Sequence, residues 1–285
     1  MPQKPSVLMI GFGYVANHTV ARLIEAGWQV QATTRSAQKV PAIKAAGAEP
    51  VLTDLSTQAG QVALRKAVQC ADALVASVPP SDGSDPVLSH LDAGGLSGKR
   101  LIYLSTTGVY GDRQGGWAFE REAPTPGQAR SIHRANAEAQ WLALGALALR
   151  LGGIYGPGRS PVDRLKNADG QVLDKPGQVF SRIHVNDIAQ AIVLGLEKSH
   201  IGGAINLVDD RPCSQVEVLT GAAALADLPA PTVTPFSEEG LSPMAASFWA
   251  ENRRVSNARA KALLGWRPRF PSWREGLTDI LAGQS

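Results

Sequence analysis

The stretch Val7-Leu8-Met9-Ile10-Gly11-Phe12-Gly13-Tyr14-Val15-Ala16 decides the fold. Its apolar run, Val7 to Ile10, reads as a strand buried on both faces. The chain then turns at Gly11 and resumes as a helix from Tyr14 to about Ala26, with apolar residues at Val15, Val20, Leu23 and Ile24. The junction spells G-x-G-x-x-A. Gly11 permits the tight turn, Gly13 lets the backbone approach a ligand without a Cβ, and Ala16 lets helix and strand pack closely. Free N–H groups at Tyr14 and Val15, with the positive end of the helix dipole, make this a seat for the diphosphate of a dinucleotide.

Strand and helix patterns continue to alternate, which predicts an α/β fold with a doubly wound parallel (Rossmann) sheet. A second strand, Gln29–Thr33, ends in Thr34-Arg35-Ser36. In such a sheet this end meets the adenosine ribose. A carboxylate there would accept a bond from the 2′-hydroxyl and repel a 2′-phosphate; this chain has Arg35 and Ser36 instead, so the expected cofactor is NADP. A helix over about Gln38–Ala46 leads to a third strand, Glu49–Thr53, and then Asp54-Leu55. Asp54 and Leu55 lie where the fold touches adenine, although Asp54 also fits an N-cap of the next helix. The fourth strand, Ala73–Ser77, runs into Val78-Pro79-Pro80, where proline takes the chain out of the sheet at its ligand-binding edge. A polar loop, Ser81–Asp85, and a helical segment from Asp85 to Leu91 are expected next.

The 285 residues suffice for one large α/β domain with a smaller lobe. The net charge of +3 carries no Lys/Arg block, so no nucleic-acid partner is expected. No apolar stretch is long enough for a membrane span, and the N-terminal residues lack a signal-peptide pattern. Cys70 and Cys213 are far apart and fit a reducing cytoplasm. The five histidines form no metal motif, and no metal is expected.

A fifth strand, Arg100–Ser105, continues as Thr106-Thr107-Gly108-Val109-Tyr110-Gly111. With Leu149-Arg150-Leu151-Gly152-Gly153-Ile154-Tyr155-Gly156-Pro157-Gly158, Arg182-Ile183-His184-Val185-Asn186-Asp187-Ile188-Ala189, Gly203-Ala204-Ile205-Asn206-Leu207, Arg254-Val255-Ser256-Asn257 and Leu264-Gly265-Trp266, this order resembles the extended short-chain dehydrogenases/reductases of the NAD(P)-dependent epimerase/dehydratase group. The resemblance implies a nucleotide-binding part over residues 1–153, completed by about 183–210, and a small substrate lobe over 154–182 and 211–285. It assigns Thr106 to a hydrogen bond with the reacting oxygen. It also implies a small-molecule substrate, sugar nucleotides being the family default, and is compatible with a homodimer.

The pattern departs at the family's Tyr-x-x-x-Lys pair. Aligning Arg134-Ala135-Asn136-Ala137-Glu138-Ala139 with the family's R-S-K-x-E-A puts Ile132 at the tyrosine and Asn136 at the lysine. No tyrosine in the chain is followed four residues later by lysine. Asn136 can still hydrogen-bond a ribose. Ile132 cannot donate a proton, a contribution of about 10²–10⁴-fold in rate, or roughly 3–5 kcal/mol. Replacement donors are sought at Tyr110, Tyr155, His184 and His133, with Thr106 as a polarising hydroxyl. Arg159, Arg164, Lys166, Arg182, Arg253 and Arg254 fall in or beside the small lobe and suggest an anionic substrate. The expected function is an NADP-dependent oxidoreductase or epimerase with a non-standard proton donor; the rival is an NADP(H)-binding sensor without turnover.

Overall fold

The computed structural model describes residues 4–81, 83–167 and 171–283. In chain order, the first half contains β1 (Ser6–Ile10), α1 (Tyr14–Glu25), β2 (Gln29–Thr34), α2 (Val40–Ala45), β3 (Glu49–Leu52), α3 (Gln58–Cys70), β4 (Ala73–Ala76), α4 (Ala93–Leu96), β5 (Arg100–Thr106), β6 (Trp117–Ala118), α5 (Ala129–Ala143) and β7 (Leu147–Leu151). The second contains β8 (Gly153–Tyr155), α6 (Pro161–Asn167), β9 (Gln171–Asp174), β10 (Arg182–His184), α7 (Val185–Glu197), β11 (Gly203–Leu207), α8 (Gln215–Leu225), β12 (Thr232–Pro235), α9 (Pro243–Trp249), β13 (Arg254–Val255) and α10 (Trp273–Ala282).

Seven strands form one parallel sheet in the order β11-β7-β5-β4-β1-β2-β3. The order reverses between β1 and β4, so the loops leaving these neighbours diverge and open a crevice at the carboxyl edge. The central strands are apolar throughout because helices cover both faces: Val7, Leu8, Met9 and Ile10 of β1 and all of β4 are buried.

The chain forms two compact units: residues 1–106, 129–150 and 188–205, and residues 107–128, 151–187 and 206–285. Residues 107–128 thus group with the second unit, whereas the division read from sequence had them in the first. Within the first unit Leu8, Leu64, Val68, Leu74, Tyr103 and Trp141 share one apolar cluster. Within the second, Tyr155, Val162, Val172, Val218, Trp273 and Leu277 share another. Two glycines make that second packing feasible. A Cβ on Gly276 would lie 2.2 Å from the Tyr155 hydroxyl, and one on Gly221 2.3 Å from the Trp273 ring.

Local chemistry adjusts several expectations. The helix expected over 38–46 is a 3₁₀ turn, Ala37–Lys39, followed by α2 with Pro41 in its first turn. The segment after Asp85 is only a 3₁₀ turn, Leu88–His90, because the Asp85 carboxylate takes the N–H groups of Val87 and Leu88. Asp82, in the expected polar loop, lies outside the described residues. Asp54 is not the cap of α3: Thr57 is, its hydroxyl accepting the Gly60 N–H at 3.1 Å. Ser214 caps α8 as expected, accepting the Glu217 N–H at 3.0 Å.

Candidate functional site

All the residues proposed from sequence to hold the nucleotide fall in the first unit: Gly11, Gly13, Tyr14, Val15, Arg35, Ser36, Asp54, Leu55, Val78, Pro79 and Asn136. Gly11 has φ +98°, a conformation glycine adopts without strain. A Cβ there would stand 2.9 Å from Ser77 Oγ and 3.1 Å from a methyl of Val78. Gly13 caps α1 without a side-chain hydrogen bond, and a Cβ on it would meet nothing within 4 Å. The first turn of α1 therefore faces open space beside an exposed glycine, which is the room a diphosphate needs.

The glycine turn is pinned from both sides by residues that sequence reasoning passed over. The Gly11 N–H donates to Thr33 Oγ1 at 2.8 Å, and the Phe12 N–H to the Thr33 carbonyl at 2.9 Å. Ser77 Oγ donates to the Gly11 and Ile10 carbonyls at 2.9 and 3.1 Å. Thr33 and Ser77 close their expected strands; a hydroxyl at each strand end flanking a glycine turn was the available signal.

At the adenosine side, Arg35 is exposed just beyond β2 and Ser36 is half-buried. The Asp54 carboxylate accepts the Ser56 hydroxyl at 2.7 Å and the Ser56 N–H at 3.1 Å. These bonds, and then the charge of Arg35, hold its carboxyl below the usual range. Arg35 and Asp54 therefore feel each other across the ends of β2 and β3. Leu55 and Val78 pack on the apolar cluster of the first unit, and Pro79 is exposed.

The hydroxyl-rich end of β5 divides its labour. Ser105 points inward and donates to Glu138 Oε2 at 2.5 Å. Arg150 holds the same carboxylate from Nη2 at 2.6 Å and from Nε at 3.1 and 3.2 Å. Glu138 is 1% exposed and Arg150 3%. Thr106, the next residue, is half-buried and closes the strand. On α5, Ile132 and Asn136 stand at i, i+4, both exposed.

Of the other nominated proton donors, His133 is half-buried on α5 in the first unit, whereas Tyr110, Tyr155 and His184 lie in the second and are withdrawn from that role. Tyr110 is fully buried, and its hydroxyl donates to Asn206 Oδ1 at 2.8 Å. Tyr155 is buried against Gly276, its hydroxyl donates to the Ser272 carbonyl at 3.2 Å, and burial drives its pKa upward, away from acid–base use at neutral pH. His184 is fully buried between Tyr155 and Phe270, with ring centroids 5.1 and 4.3 Å away. Its Nδ1 accepts the Asn186 N–H at 3.2 Å, as a neutral ring can. The two phenol hydroxyls and His184 Nδ1 are thus engaged in bonds within the fold.

A parallel sheet with a glycine turn at its crevice defines a nucleotide-binding protein of the Rossmann type. The chain belongs to the NAD(P)H-binding family, whose model matches residues 11–198. It is 28% identical over 306 residues to a 3-diazoavenalumate denitrifying reductase from a Streptomyces species, covering 95% of this chain and 98% of that one. A solved structure of a conserved protein of unknown function from Silicibacter pomeroyi is 39% identical, covers 98% of this chain and 99% of that one, and superposes with a TM-score of 0.90. The UDP-N-acetylglucosamine 4-epimerase from Bacillus cereus is 16% identical, with 99% and 100% coverage and a TM-score of 0.78, a likeness of fold. The activities named among these relatives are thus a reductase and an epimerase. Among the described residues no helix is long and apolar enough to cross a membrane.

Proposed function

We propose that this protein is an NADPH-dependent reductase whose hydride acceptor needs no proton from a protein side chain. The observation that carries the reading is the state of the donors. Aligned on Arg134–Ala139, Ile132 falls at the family's acid, His133 is one helical step of about 100° away, and Tyr110, Tyr155 and His184 are buried in hydrogen bonds or ring contacts. The diphosphate would lie on the first turn of α1, Arg35 and Ser36 would hold the 2′-phosphate, and Asn136 would hydrogen-bond a ribose. Thr106 would orient the acceptor.

A carbonyl acceptor develops an alkoxide that must be protonated, which Ile132 cannot do. An acceptor that sheds its electrons in a leaving group escapes that demand. The diazo group named in the Streptomyces relative's substrate suggests the class. When bound, the dihydronicotinamide supplies a hydride. A diazonium carbon that gains it loses the C–N bond, and the bonding pair departs with dinitrogen, so charge and atoms balance without an acid.

The test follows NADPH consumption with benzenediazonium and with an aldehyde and ketone panel, using NADPH deuterated on either face of C4. Enzyme-dependent reduction of the diazonium, with label delivered from one face only, is expected. Equal delivery from both faces would mark an uncatalysed reaction and overturn the proposal. Faster turnover of the carbonyl panel would show that an acid had been missed. NADPH binding without turnover of either would favour the sensor reading.

A further inference from the structure

Helix α5 has two faces with different tasks. Ser131, Ala137, Glu138 and Trp141 are buried, whereas Ile132 and Asn136 are exposed. Two residues along a helix make a turn of about 200°. Arg134 therefore lies opposite both Ile132 and Asn136, on the side that packs against β5 within the first unit.

What Arg134 touches is the end of β5. The pairing with β4 stops at Tyr103, opposite Ala76, so Leu104, Ser105 and Thr106 run past that neighbour. Arg134 Nη1 donates to the Leu104 carbonyl at 2.9 Å and to the Tyr103 hydroxyl at 3.2 Å. Its guanidinium carbon lies 5.7 Å from the centre of the Tyr103 ring. Tyr103 is fully buried and stacks on Trp141, also of α5, at 5.8 Å with the ring planes 14° apart. One helical turn beyond Arg134, the Glu138 carboxylate accepts the Ser105 hydroxyl. Tyr103, Leu104 and Ser105 are thus each tied to α5, and Thr106 is the next residue.

The two polar anchors, Arg134 and Glu138, stand one turn apart, with Asn136 midway between them in sequence. A helix held to one strand at two such points can neither roll about its axis nor slide along the strand. Glu138 is also held by Arg150 of β7 and belongs to the buried interior. Arg134 is half-buried and spends its contacts on the strand end alone, so it is the anchor whose removal frees the roll of α5 without stranding a buried charge.

We propose that Arg134 is a positioning residue for the nicotinamide half of the nucleotide: by fixing the roll of α5 against the end of β5, it presents Asn136 to the ribose. The inference rests on the reading of Asn136 as a ribose contact and not on the reductase chemistry. The test is titration of the full chain with NADPH and with adenosine 2′,5′-bisphosphate, which lacks the nicotinamide ribose. It compares wild type, Asn136→Ala, Arg134→Met, Arg134→Lys and the double variant Arg134→Met/Asn136→Ala. Asn136→Ala should weaken NADPH about three- to tenfold, the size of one neutral hydrogen bond. Arg134→Met should reproduce most of that loss, and Arg134→Lys, which keeps the charge and a donor, should recover part of it. The double variant should bind NADPH within about twofold of Asn136→Ala, because the contact that Arg134 serves is already gone, whereas independent effects would multiply. The bisphosphate should bind every variant alike, to within about twofold. Equal weakening of NADPH and the bisphosphate by Arg134→Met would mark a general loss of structure and overturn the proposal, as would multiplied losses in the double variant. NADPH affinity unchanged by Arg134→Met, beside a weakened Asn136→Ala, would overturn this inference alone. NADPH affinity unchanged by Asn136→Ala would overturn the ribose reading and the inference with it. If Arg134→Met does not fold, Arg134→Lys carries the same cycle with Asn136→Ala, with a smaller loss and the same outcomes.

Discussion

The proposed preference for NADPH rests on Arg35. It is exposed beyond β2, and the carboxylate it influences is that of Asp54 at the end of β3. A charge-assisted hydrogen bond contributes about 1.5–3 kcal/mol; exposure discounts this to roughly 1–2 kcal/mol, or about 5–30-fold in affinity. Arg35→Ala should weaken NADPH by that factor and leave NADH nearly unchanged. Asp54→Asn should act oppositely, raising NADPH affinity a few-fold, because a carboxylate no longer competes for the guanidinium. Asparagine keeps an oxygen for the Ser56 turn, so the loop survives the change. Salt should shrink the NADPH preference, since screening at about 0.1 M acts over about 10 Å. Fluorescence or calorimetric titration with both nucleotides reads all three effects. An unchanged ratio of the two affinities in Arg35→Ala would refute the assignment of the 2′-phosphate.

Removing Arg150 strands a carboxylate that is 1% exposed, so Arg150→Met should cost about 3–5 kcal/mol and lower Tm, whereas the double variant Glu138→Leu/Arg150→Met should recover much of it; equal Tm values for single and double variants would show that the buried charge is not the cause. Asp209 supplies a pH signature. Its folded pKa, raised by burial to about 8, exceeds an unfolded value of about 3.9, so the stability tied to its proton is complete below about pH 4 and is lost as pH climbs toward 8, by up to about 1.4 kcal/mol per unit. Asp209→Asn should therefore gain relative to wild type between pH 5 and 8 in thermal melts; parallel curves would contradict the burial argument.

The elements that depend on local chemistry were legible in the sequence. The switch from an apolar run to a helical period at Gly11–Tyr14, the strand ends read at Thr33 and Ser77 and found within one residue, at Thr34 and Ala76, and the Ser214 cap are each written within about ten residues. What depends on distant neighbours was not. Tyr110 and Tyr155 look like free phenols until Asn206 and Ser272 meet them across 96 and 117 residues. His184 has the pKa range of a shuttle in isolation, yet Tyr155 and Phe270 enclose it. Asp54 as cap of α3 failed because Thr57, three residues on, offers its hydroxyl in the position that the helix requires.

The glycine notches under Tyr155 and Trp273 bear on how the chain matures. Gly276 and Trp273 both belong to α10, and Tyr155 is bonded to the Ser272 carbonyl at its start. The second apolar cluster therefore lacks a wall until residues 273–282 have left the ribosome. Residues 1–106, 129–150 and 188–205 emerge earlier and hold their own core. Synthesis should accordingly release a nascent chain with its nucleotide seat assembled and its other half still seeking closure, exposed to chaperones and proteases for that interval.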